Sequence, residues 1–308
     1  MSDLTNSIEN EIIKRIHMGG FAFSIASLLS SFFILLLIFF NKILRSLTYN
    51  FLIRIFISEI IGNIGKILEY EKDSGNLLYN KLSSLLIPFS DIYTMILFCF
   101  FSICSQELII KSNRNIKEKE KKYFIISFFI SFIYTGIIYF LLIKYDYDNV
   151  RFYFYKNSKL NYLRFIHIGV LIIMTCYISY YTATVIQFMK EKQKNDKINA
   201  LKIEKLINVL LRFPLICFFY WILYIPSLSL TYFERSKNKY ITYIFVLFSV
   251  LLFSLRGFFI FLNTIQTNKV QIVLERLINN FKHKFILLSK SRRWSANYLN
   301  KKKGKAED

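Results

Sequence analysis

An all-α membrane protein, a seven-transmembrane helix bundle with an amphipathic interfacial eighth helix, is the fold class this sequence predicts. Three observations predict it. The apolar residues gather into seven long runs, at about 18–40, 47–70, 82–110, 122–144, 161–189, 206–233 and 240–266. Roughly 20 residues rising 1.5 Å each cross the ~30 Å of bilayer hydrocarbon, and every run is that long. Lysine and arginine concentrate in alternate connections, which lie on one side of the membrane if seven helices are threaded. Two of the runs also carry a charge near their midpoint, Glu59 and Arg256. Such a charge costs at least ~2.5–3.5 kcal/mol on insertion scales, so it must face a partner inside a bundle.

Composition supports the class. The chain has 308 residues, 54% of them hydrophobic and 18% aromatic, with three prolines and a mean hydropathy of +0.38, which excludes an ordinary soluble domain. The net charge of +21 would fit nucleic acid, but its distribution does not. The connection after the third run carries Lys111, Arg114, Lys117, Lys119, Lys121 and Lys122, and the one after the fifth carries Lys190, Lys192, Lys194, Lys197, Lys202 and Lys205. The tail adds Lys269, Arg276, Lys282, Lys284, Arg292, Arg293 and a final lysine cluster. The positive-inside rule makes that side cytoplasmic and the N-terminus external, with the plasma membrane the expected location.

The elements follow in order. Residues 1–17 are polar and form a short extracellular N-terminus, too small for a folded ectodomain. The first apolar run is too long for a cleaved signal and is expected to act as a signal-anchor. The bundle occupies 18–268. In the second run Glu59, Asn63 and Lys66 share one helix face through their i, i+4, i+7 spacing, with Gly62 and Gly65 alongside, where small residues permit close helix approach. The third run carries Asp91, about two and a half turns below its outer end. The fifth opens with Arg164 and His167, one turn apart. The sixth contains Arg212, Pro214, Trp221 and Pro226, and the prolines predict kinks. The seventh places Thr242, Ser249, Arg256 and Asn263 at seven-residue steps, a polar stripe that lipid would not tolerate. Residues 269–289 put Val270, Val273, Leu274, Leu277, Phe281, Phe285 and Leu288 on one face, which predicts an amphipathic helix in the inner interface. Residues 290–308 form a basic tail expected to be disordered.

The four cysteines, Cys99, Cys104, Cys176 and Cys217, all fall inside predicted helices and read as small packing residues, with no loop disulfide expected. No N-glycosylation sequon is present. The histidines, His17, His167 and His283, stand on three separate segments, so neither a metal site nor an intramembrane enzyme is expected. Retinal needs a lysine in the seventh helix, and Arg256 cannot form a Schiff base. No cofactor is expected.

Several strings carry a resemblance. The second run reads Leu44-Arg45-Ser46-Leu47 and then Ile57-Ser58-Glu59-Ile60-Ile61. The sixth reads Arg212-Phe213-Pro214-Leu215-Ile216 followed by Trp221 and Pro226, and the seventh reads Ser254-Leu255-Arg256-Gly257-Phe258. Over about residues 20–290 this resembles the cyclic-AMP-receptor-like class of G-protein-coupled receptors and, more distantly, the secretin-type class. The family tends to have aspartate where Glu59 stands and glutamine where Arg256 stands. The inner end of the third run reads Cys104-Ser105-Gln106-Glu107-Leu108 instead of an Asp-Arg-Tyr triplet.

The resemblance implies a receptor that passes an extracellular small-molecule signal to a heterotrimeric G protein, with Trp221 as a core rotamer switch; packing is the plainer role for that residue. Glu59 and Arg256, helped by Asn63 and Asn263, are expected to pair and act either as a switch or as a purely structural pair. Lys66, Asp91, Arg164 and His167 are expected to form an outer-half site for a small polar or anionic ligand, unless they only meet headgroups. Basic outer-loop residues such as Lys144, Arg151, Lys156, Lys159, Arg235, Lys237 and Lys239 favour an anion. Arg292-Arg293-Trp294-Ser295 reads as a basic-directed kinase site at Ser295. Membrane lipid is an expected partner and nucleic acid is not. The alternative function is a seven-helix transporter or channel whose intramembrane charges line a permeation path.

Overall fold

The computed structural model describes residues 2–41, 44, 47–70, 77–110, 116–145, 161–195, 239–267 and 269–283, and all their regular structure is helical. The helices are α1 (Ser2–Phe40), α2 (Leu47–Tyr70), α3 (Leu77–Ile109), α4 (Ile116–Tyr145), α5 (Asn161–Asn195) and α6 (Lys239–Ile265). A further helix, α7, covers 269–283. The predicted sixth span at 206–233, with Trp221, lies outside the described residues, as do Ser295 and the basic tail, so α6 here is the seventh predicted span. The chain divides into two compact units, Met1–Asn263 and Thr264–Asp308.

Among the described residues, four helices are long and apolar enough to cross a membrane: Met18–Phe40, Lys81–Glu107, Glu118–Leu141 and Ile166–Lys192. The protein is therefore an integral membrane protein, helical throughout its described residues. α2 is as long as the others, but Arg54, Glu59, Lys66 and Glu69 interrupt its apolar character. α1 begins at Ser2, so the helix also takes in polar residues ahead of the first apolar run. Its exposed Glu11–Arg15 pair, at 2.6 Å and one turn apart, suits a helix in water.

The side chains are arranged as lipid requires. On α4 the outward face presents Phe128, Phe129, Phe132, Ile133 and Phe140, with Phe140 68% exposed. The inward face carries Ser127, Ser131 and Thr135, all buried at four-residue spacing. α1 repeats this pattern, with Ser24, Ser27 and Ser31 inside and Phe32, Phe33 and Phe39 outside. In water such an arrangement would be inverted. In hydrocarbon it is favoured, because large apolar groups lose nothing by facing lipid while small hydroxyls let backbones approach. Some of the buried hydroxyls are satisfied within their own helices: Ser131 Oγ donates to the Ser127 carbonyl at 2.7 Å and Thr175 Oγ1 to the Leu171 carbonyl at 2.8 Å, whereas Ser24 Oγ, Ser31 Oγ and Thr135 Oγ1 find no partner among the described residues.

α3 is the central helix of its unit. Its span is 67% buried, against 28–33% for α1, α4 and α5, and it packs on α2, α4 and α5, while α1 packs on α2. The α2–α3 contact is the tightest. A Cβ on Gly65 would lie 2.9 Å from both Ile87 Cγ1 and Leu86 Cβ, and one on Gly62 would collide with the Ser90 side chain. Pro88 sits inside α3 without breaking it, one turn before Asp91. It has no N–H to give the Ser84 carbonyl.

Candidate functional site, a buried ion cluster

Gly62 and Gly65 bring α2 close enough to α3 for the two helices to exchange hydrogen bonds. Ser58 Oγ donates to the Ser90 carbonyl at 3.0 Å, and Ser90 Oγ donates back to the Ser58 carbonyl at 2.7 Å. Thr94 Oγ1 is 2.9 Å from Ser58 Oγ and 3.4 Å from Glu59 Oε1. This knot holds two carboxylates, Glu59 on α2 and Asp91 on α3, towards the same space, with 0% and 1% of their surface exposed.

Arg256 of α6 fills that space. Its Nε donates to Glu59 Oε1 at 2.7 Å, its Nη1 donates to Asp91 Oδ1, and its Nη2 donates to Ser90 Oγ at 3.2 Å. One guanidinium thus ties three helices. The planar fork of an arginine suits this task, since its donors diverge towards several acceptors at once. Gly257 lets α6 come this near. A Cβ there would meet Ser27 Oγ at 2.5 Å and Ser31 Oγ at 3.0 Å, both on α1.

Two branches extend the cluster. Asp91 Oδ2 lies 3.7 Å from His167 Nε2 on α5, and His167 Nδ1 lies 2.9 Å from the Tyr134 hydroxyl on α4. On the other side Lys66 Nζ donates to Asn63 Oδ1 at 3.4 Å, and Asn63 Nδ2 donates to Ser27 Oγ at 3.0 Å. Lys66 is itself buried, within electrostatic range of Arg256, Glu59, Asp91 and Glu69. The polar side chains therefore connect all six helices α1 to α6 in one layer.

The layer redraws the residue groups expected from sequence. Lys66, Asp91 and His167, expected as an outer ligand site, are 1% exposed and belong to the same cluster as Glu59 and Arg256. Arg164 stands in the first turn of α5, and its side chain lies outside the described residues. The helpers of the Glu59–Arg256 contact also differ. Asp91, Ser90 and Thr94 surround it, while Asn63 serves Lys66 and Ser27. Asn263 is buried two turns further along α6, and its amide nitrogen finds no hydrogen bond among the described residues. Sequence reading passed over Ser90, Thr94, Tyr134 and Ser27, and took Ser58 only as part of a motif. Their one available signal was a hydroxyl in an apolar run, and every run has several.

Three carboxylates (Glu59, Glu69, Asp91) and two basic side chains (Lys66, Arg256) are thus buried. Such a cluster can hold helices in one arrangement, or exchange partners between two. Among the described residues, no three His, Cys, Asp or Glu side chains are placed to hold a metal ion. Cys99, Cys104 and Cys176 are free thiols. No protein-family model matches the chain, and no curated protein matches it.

Proposed function

We propose that this chain is a seven-helix G-protein-coupled receptor, similar to the cyclic-AMP-receptor-like class, with an external N-terminus and an interfacial helix after the last span. The observation that carries the reading is Arg256 held between Glu59 and Asp91, on two other helices. A charge-bearing helix clamped by two carboxylates has discrete alternatives: both contacts made, or one exchanged. A receptor needs such a two-state element, because a ligand acts by binding one state more tightly than the other. The unbroken course of α1 to α6 also suits a receptor, since transporters tend to interrupt their helices at mid-membrane. The lysine-rich ends of α4 and α5 fit the cytoplasmic side.

The transporter reading is favoured by the buried carboxylates Glu59 and Asp91, with His167 beside Asp91, since chains of carboxylates and histidines carry protons in pumps. One preparation tests both. The full chain is reconstituted into vesicles, and guanine-nucleotide exchange by purified heterotrimeric G proteins of each class is measured with and without cyclic AMP as the first anionic probe. Exchange above that of empty vesicles, altered in Asp91→Asn at matched protein content, is the expected result. No exchange with any G-protein class, together with a pH-gradient-driven proton flux abolished in Asp91→Asn, would replace the receptor by the transporter.

A further inference from the structure

The start of α4 carries four lysines and two glutamates between Lys117 and Lys122, and the fold sorts them into separate roles. Lys119 Nζ donates to both carboxylate oxygens of Glu107 on α3, at 3.0 and 2.8 Å. Glu120 is buried. Tyr123 stacks flat on Phe100 of α3, with centroids 4.4 Å apart. These contacts fix the rotation of α4, and Lys121 and Lys122 are left facing outward. They stand at the head of the face that continues through Ile125, Phe129 and Phe132, all more than half exposed.

The position matters as much as the charge. The uninterrupted apolar part of α4 begins at Tyr123, so the two lysines stand in the turn just before it, where a membrane-crossing helix meets the lipid phosphates. Their stems can lie along Ile125 and Ile126 while the ammonium groups reach the headgroup layer. Among the described residues neither lysine forms an ion pair. Glu118 shares the face one turn further from the hydrocarbon and offsets the pair in part, leaving the local sign positive. A soluble acidic protein would need these lysines clear of the headgroups, whereas they share a face with lipid-facing phenylalanines.

We propose that Lys121, Lys122 and the Ile125–Phe129–Phe132 ridge form a seat for one anionic phospholipid, its phosphate on the two ammonium groups and an acyl chain along the ridge. The seat rests neither on the receptor reading nor on which leaflet α4 starts from. The test is native mass spectrometry of the full chain from detergent, with phosphatidylserine or phosphatidylcholine added at equal concentration. Wild type should retain phosphatidylserine in preference. Lys121→Gln with Lys122→Gln should weaken phosphatidylserine on the order of fivefold per lysine, the factor expected for each basic group at an anionic surface. Phosphatidylcholine binding and the thermal midpoint should not change. Lys119→Gln removes an equal charge two residues away; it should keep the lipid preference and lower the midpoint, because Glu107 loses its clamp. Equal retention of both lipids by wild type would overturn the seat. So would a loss of preference in Lys119→Gln as large as in the Lys121/Lys122 variant, which would indicate a diffuse field. Binding of polyglutamate through the two lysines, without lipid preference, would assign them to a protein partner instead.

Discussion

At the scale of residues, Arg256 decides whether this core is stable. It stands between Glu59 and Asp91 with about 5% of its surface exposed. Removing one partner of a buried ion pair typically costs ~3–5 kcal/mol, because the other charge is left without compensation. Arg256→Gln should therefore reduce folded protein at the cell surface more than any single carboxylate change, since it strands two carboxylates. Glu59→Gln leaves Arg256 still paired with Asp91 and should cost less. The double variant Glu59→Gln/Arg256→Gln should recover part of the loss and not all, because Asp91 remains charged and without its guanidinium. Adding Asp91→Asn should recover more. Surface expression and detergent thermal midpoints of the four variants measure this. Strictly additive losses would mean that the three groups are not energetically coupled.

At the scale of elements, glycine positions set how close the helices come. Gly65 faces Leu86 Cβ and Ile87, and the Ile87 backbone nitrogen would be 3.3 Å from an added Cβ. Backbone cannot yield as a flexible side-chain end can, so Gly65→Ala must push α2 and α3 apart. Overpacking of this kind costs typically ~1–3 kcal/mol. Gly136 on the lipid-facing side of α4 has nothing within 4 Å of an added Cβ. There alanine should be neutral or stabilising, by up to about 1 kcal/mol of helix propensity. Thermal midpoints of the two alanine variants should thus move in opposite directions or, at least, only that of Gly65→Ala should fall. A fall of the same size at Gly136 would show that α4 meets a neighbour on its outward face. Gly257→Ala should resemble Gly65→Ala, since Ser27 and Ser31 of α1 crowd it.

At the scale of the whole molecule, the asymmetry of basic residues predicts orientation. The connections after the third and fifth predicted spans, and the tail, hold most of the lysine, while the other side holds less. Epitope tags at residues 2 and 308 in intact cells should be labelled at the N-terminal end alone, with the C-terminal tag reached only after permeabilisation. Labelling of the C-terminal tag in intact cells would reverse the proposed topology. α7 bears on the same question. Val270 and Val273 are buried, whereas Phe281 and Ile278 are more than half exposed. An apolar edge of this kind on a charged helix suits the interface between headgroups and acyl chains.

By itself the sequence determined the class of protein and the places where charge had to be explained. Apolar runs near 20 residues long admit few structures besides membrane-crossing helices, because backbone groups in lipid must be satisfied within the segment. The limits of α2 at residues 47 and 70 follow directly from its run. Glu59 and Arg256 stood out for the same reason, as charges where charge is costly. Only the tertiary structure decided what surrounds them. Asp91 completes the contact on Arg256, where Asn63 and Asn263 were expected, because helix rotation is set by packing at Gly62, Gly65 and Gly257, which no periodicity records. Hydroxyls were equally hidden. Ser58 and Ser90 exchange bonds across α2 and α3, while Ser127 and Ser131 bond within α4, although all four look alike in an apolar run. The lysines of α4 show the same limit: Lys119 clamps α3 and Lys121 is exposed, two residues apart. Hydrocarbon selects for length and apolarity, which a sequence displays. The pairing of polar groups depends on which faces meet, and that is a property of the packed bundle.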